Sequence, residues 1–149
     1  MSVQTIEEVI VRLDALIDEG LRSESRIGYF AALYQRVTLS VRRAILAGDV
    51  FEDNPRMARL DVLFANRFLD AYDTYVAGGT PTMPWKLAFD DLKNRELMVV
   101  QHLLLGMNAH ITLDLCIAAY EVQAERKQPM LALKNDFDMI NVVLARLRG

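Results

Sequence analysis

Two residues one helical turn apart, His110 and Asp114, are the sharpest chemical pairing in this chain. At about 100° per residue they stand roughly 40° apart on one helix face, so an imidazole nitrogen and a carboxylate oxygen can reach a common point. That pairing suits a divalent metal ion, or a general acid/base in which the carboxylate orients the imidazole. Two ligands are too few for a metal site, and the others must come from a different segment. The third expected helix, from Asn54 to Gly78-Gly79, offers them: Arg59, Asn66, Asp70 and Asp73 form one polar column, with Asp61 on another face. The metal set read from this pattern is His110, Asp114 and Asp70, and the catalytic set is His110, Asp114, Asn108 and Asp61. Asn66, Asp70, Arg59, His102 and Trp85 are candidate ligand-binding positions, Trp85 as an aromatic lid at the end of a bundle. His102 lies about 80° round the helix from His110 and roughly 12 Å along it, too far to share one ion easily.

The same residues fit a plainer arrangement. Buried polar groups cost on the order of 1–3 kcal/mol each when unsatisfied. His110 can therefore hydrogen-bond Asp114 or Asp70, while Arg59 or Arg67 pairs with Asp61, Asp70 or Asp114 in an interhelical network. Three functions remain open: a metal-assisted or acid/base hydrolase, a small-molecule pocket without catalysis, and an interaction module. In the last, an incomplete bundle exposes apolar surface that a second copy covers, giving a homo-oligomer.

Positioning these residues falls to helices. Ile6, Val9, Ile10, Leu13, Leu16 and Ile17 recur every three or four residues behind a Thr5 cap. A second helix runs from about Ile27 to a stop at Gly48, and a third from Asn54-Pro55, with Asn54 as cap, to Gly78-Gly79. A short helix follows at residues 85–93. The next segment, from Asn94 to Arg126, is apolar round nearly its whole circumference and is expected to be the central helix. Pro129 opens a last helix, to about Leu147, with a face of Leu131, Leu133, Phe137, Ile140, Val143 and Leu144. Cys116 and the methionines are expected in the core. No segment alternates as a strand would. The fold class is all-α, a single helical bundle of five or six helices spanning residues 1–149.

The stretch Leu103-Leu104-Leu105-Gly106-Met107-Asn108-Ala109-His110-Ile111, followed by Leu113-Asp114-Leu115, resembles the signature of a family of helical bacterial proteins, a domain of unknown function. Gln101-His102, Arg59-Leu60-Asp61-Val62 and Asn66-Arg67-Phe68-Leu69-Asp70-Ala71 are similar to it too, so the resemblance spans about residues 29–141. It implies an all-α fold, with His102, Asn108, His110 and Asp114 belonging to the family's pattern, and no particular activity. Members tend to run longer, so a shortened C-terminal helix is expected here.

Composition narrows the classes. With 149 residues and 52% hydrophobic content, the chain can bury about two thirds of its unfolded surface without a disulfide or structural metal. A formal charge of -3 provides no field for nucleic acid or anionic lipid. One cysteine excludes an internal disulfide. Acidic residues interrupt the apolar pattern of the first twenty positions, unlike a secretory leader, and polar residues break the apolar run at 97–120. These features lead to the expectation of a cytoplasmic protein without a membrane partner.

Overall fold

The computed structural model describes residues 2–92 and 96–146, with residues 97–109 described through their helical backbone alone. Among the described residues there are six α-helices, one 3₁₀ turn and no strand. The helices are α1 (Ile6–Ser23), α2 (Ile27–Ala47), α3 (Asn54–Val76), α4 (Met83–Asp90), α5 (Leu97–Arg126) and α6 (Lys134–Ala145), with the 3₁₀ turn at Met130–Leu133. No helix among these residues is long and apolar enough to cross a membrane.

Local chemistry sets the boundaries. Thr5 caps α1 by accepting from the Glu8 amide at 3.2 Å, and the Glu8 carboxylate returns to the Gln4 amide at 2.7 Å. Buried Val9, Leu13, Leu16 and Gly20 then face α2, which folds back antiparallel after Glu24 adopts a left-handed conformation (φ 53°). The two helices cross closely at Gly20 and Gly28: a Cβ on Gly20 would lie 2.6 Å from the Gly28 nitrogen. α2 stops at Gly48, whose φ of 88° favours glycine. The cap of α3 is Asp53 and not Asn54, because the Asp53 carboxylate reaches the Arg56 amide at 3.0 Å while Asn54 is already helical. Asn94, expected to start the long helix, lies outside the described residues. The last helix opens with a 3₁₀ turn before α6 proper.

The hub of the bundle is α3, which packs against α1, α2, α4 and α5. Met57, Leu60, Phe64, Ala65 and Phe68 along it are fully buried. In its described stretch, α5 buries Asp114, Leu115, Ala118, Ala119 and Val122 but leaves Leu113, Cys116 and Tyr120 exposed. One side of α5 is therefore open in this stretch, and the side chains of residues 97–109 lie outside the described residues. Its apolar residues occupy every side, so their pattern does not say which side is covered. Cys116, expected in the core, lies on the open side. Met57 is buried, whereas Met83, Met130 and Met139 are exposed, as is Leu131.

One buried ion pair fastens the end of the chain to the hub. Asp136 of α6 accepts from the Glu52 amide at 2.6 Å, the Asp53 amide at 3.1 Å and Arg56 Nη2 at 2.7 Å. Arg56 Nη1 also donates to the Ala132 carbonyl at 3.2 Å. Both side chains are almost wholly buried, at 5% and 1% exposure, so removing one leaves the other charge without compensation. Asp136→Ala is expected to cost about 3–5 kcal/mol in urea unfolding, with a smaller loss for Asp136→Asn, which keeps one acceptor oxygen. A loss below about 1 kcal/mol for the alanine variant would show that the pair does not fasten α6.

Candidate functional site

Along α3, Arg59, Leu63, Asn66, Arg67, Asp70, Ala71 and Thr74 recur at three- and four-residue spacings, and together they form one wall of a cleft of about 390 Å³. Trp85 of α4, Pro81 and Thr82 before it, Glu121 of α5, and Ser2 and Gln4 of the N-terminal segment complete the lining. Four of the five ligand-binding positions expected from the sequence, Arg59, Asn66, Asp70 and Trp85, are therefore together here. The side chain of the fifth, His102, lies outside the described residues, as does that of Asn108.

Behind the cleft, three helices meet on one carboxylate. Asp114 of α5 is 1% exposed. Its Oδ2 accepts from the Tyr34 hydroxyl of α2 at 2.6 Å, and its Oδ1 accepts from Arg67 Nε of α3 at 3.2 Å. Tyr34 is stacked on Phe64 and Phe68, with ring centroids 4.7 and 4.8 Å away. Burial, reinforced by the charge of Asp114, holds the Tyr34 phenol well above its ordinary ionisation range. Tyr34 is thus a fixed neutral donor. Trp85 packs beside Phe68 at 5.5 Å, and the His110 ring lies against Trp85 at 4.8 Å. His110 Nδ1 is buried without a hydrogen-bond partner among the described residues.

The polar column on α3 divides its work. Asn66 clamps the backbone of Val3 at two points, accepting from its amide at 3.2 Å and donating to its carbonyl at 2.9 Å. Both oxygens of Asp70 accept from the Ser2 hydroxyl, at 3.1 and 3.2 Å. Arg59 is held by both oxygens of Glu125, at 3.0 and 2.9 Å, which keep its guanidinium charged and pull the Glu125 carboxyl below its usual range. Asp73 leaves the column to pair with Arg12 of α1. Arg67 differs. It is one-third exposed and gives only Nε to Asp114, so its terminal Nη atoms have no hydrogen-bond partner among the described residues.

His110, Asp114 and Asp70 each have different neighbours: Trp85 for the first, Tyr34 and Arg67 for the second, Ser2 for the third. Among the described residues, no three His, Cys, Asp or Glu side chains stand close enough to hold a metal ion. Sequence reasoning missed Tyr34 and the N-terminal segment. A tyrosine among Phe30, Ala31, Val37 and Val41 on a buried helix face is a usable signal, since its hydroxyl must find a partner there. The course of residues 2–5 over α3 has no such signature.

Asp61 lies apart from the cleft lining, fully buried, with Oδ2 accepting from Thr38 Oγ1 at 2.8 Å and Oδ1 unpartnered. Burial pushes its carboxyl up to about 7, against the smaller opposing effect of the Thr38 hydrogen bond. A folded-state value above the unfolded one means that the native state holds the extra proton. The stabilisation is complete below about pH 4 and is lost as pH rises through about 7. In urea unfolding at a series of pH values, Asp61→Asn is expected to flatten the stability decline between those limits. An unchanged decline would show that another group causes it.

No curated protein and no solved structure matches the chain. One family model does, over residues 6–148, and its description is "Family of unknown function (DUF5995)". The resemblance to a domain of unknown function read from the sequence agrees with that match. The chain belongs to this family of unknown function.

Proposed function

We propose that the cleft along α3 is a binding site for a small polar molecule, with Arg67 as its principal charged contact; Trp85, expected as a lid, is only 2% exposed and plugs the core at the cleft's base. The observation that carries this reading is the state of Arg67: a guanidinium on the cleft wall, anchored through Nε, with its Nη atoms uncommitted among the described residues. Anchoring a guanidinium at one nitrogen while leaving the others open fixes its orientation in advance and lowers the entropy lost on binding. The volume, about 390 Å³, falls at the small end of the range for ligand pockets.

Binding suits the geometry better than metal-assisted or acid/base hydrolysis. Both oxygens of Asp114 already accept, one from a phenol and one from a guanidinium. A carboxylate so engaged, and only 1% exposed, orients its neighbours and is shut away from a substrate in the cleft. His110 packs its ring on Trp85 and is not among the residues lining the cleft.

Trp85 is the sole tryptophan, so its emission reports directly on the cleft. Titrating the protein with a panel of small acids, amines, alcohols and amino acids is expected to give a saturable emission change with at least one class. Ala71→Leu, which adds bulk to the wall at a partly exposed position, is expected to weaken that binding by about tenfold or more while the circular dichroism stays unchanged. A panel without any saturable response, or a response that Ala71→Leu leaves intact, overturns the reading.

A further inference from the structure

We infer that the molecule bound in this cleft is a zwitterion of the α-amino acid type, its carboxylate taken by Arg67 and its ammonium by Asp70; this rests on the cleft being a binding site. Arg67 and Asp70 are three residues apart on α3, so they are neighbours on the helix surface, and both line the cleft. The Nη pair of Arg67, uncommitted among the described residues, matches a carboxylate, which a guanidinium can grip at two points. Asp70 accepts from one neutral donor, the Ser2 hydroxyl, and a carboxylate has about four acceptor sites, so capacity remains for an ammonium group.

Charge balance argues for a ligand carrying both signs. The lining contains two guanidiniums, Arg59 and Arg67, and two carboxylates, Asp70 and Glu121. Beyond the lining, Glu125 pairs with Arg59 and buried Asp114 with Arg67, which makes the surroundings acidic on balance. A phosphate or dicarboxylate would meet Asp70 and Glu121 without compensation, and a simple amine would leave the Arg67 fork unused. An α-amino acid presents its opposite charges one carbon apart, in keeping with two side chains on adjacent turns of one helix. Leu63 and Ala71, both partly exposed, supply apolar surface beside these groups, which favours an apolar amino acid side chain.

The test uses Trp85 emission, excited where phenylalanine does not absorb, on the full chain. The probes are L-phenylalanine and L-leucine, together with 3-phenylpropanoate, phenethylamine and inorganic phosphate; the second and third aromatic probes each lack one charge of phenylalanine. At least one amino acid is expected to saturate the signal, with each singly charged analogue weaker by about tenfold or more. Asp70→Asn, at an exposed position, is expected to erase the preference for phenylalanine over 3-phenylpropanoate. Arg67→Lys and Arg67→Gln are expected to erase the preference over phenethylamine. If an analogue or phosphate binds as tightly as the amino acids, the zwitterion assignment is overturned while the binding cleft stands. If the amino acids give no response but another class of the wider panel does, the assignment again falls alone. Silence from every probe in both sets overturns the cleft as well.

Discussion

A single buried carboxylate, that of Asp114, ties α2, α3 and α5 together. Its two oxygens are taken by groups from two other helices, the Tyr34 hydroxyl and Arg67 Nε. Hydrogen bonds to a charged group contribute about 1.5–3 kcal/mol each, and losing one strands a charge away from water, so the three helices cannot slide past one another cheaply. Tyr34 is itself fixed between Phe64 and Phe68, and Phe68 continues the aromatic packing to Trp85. The orientation of Arg67, and with it the character of the cleft, is a consequence of this junction.

Two further buried acids show how the degree of satisfaction separates roles. Asp136 receives two amides and a guanidinium and is a fastening for α6. Asp61 receives one hydroxyl and keeps one oxygen unpartnered, so its charged form is disfavoured and its proton is retained far above the ordinary carboxylate range. Asp114 stands between them, with one donor on each oxygen from two separate helices. Nearer the surface, Asn66, Asp70 and Arg59 hold the N-terminal segment along α3, and that segment in turn contributes Ser2 and Gln4 to the cleft lining.

Much of the helical layout was legible because amphipathic spacing and end signals reinforce one another. Thr5, Gly48 and the Gly78-Gly79 turn mark boundaries by local chemistry that needs no tertiary knowledge. The grouping of Arg59, Asn66 and Asp70 was legible for the same reason, since a helical column is a property of spacing. What the column touches is not. Asn66 serves a backbone clamp because residues 2–5 run beside it, and nothing in the pattern of α3 records that path. α5 is apolar on all sides, so periodicity could not say that Cys116 and Tyr120 face outward or that α3 is the hub. Asp136 reads as an ordinary acid in a first helical turn, and its role comes from Arg56 and the Glu52 and Asp53 amides, eighty or more residues away.

Belonging to a family of unknown function assigns no chemistry to the chain, so the account rests on whether Asp114 joins the helices as described. The most direct measurement is a double-mutant cycle in urea unfolding between Tyr34→Phe and Asp114→Leu, which take away the donor and the acceptor of the 2.6 Å bond with little change in side-chain size. A coupling energy of about 1.5–3 kcal/mol is the predicted result. Additivity within about 0.5 kcal/mol would contradict it, because the two groups would then be acting independently and α5 would need another anchor.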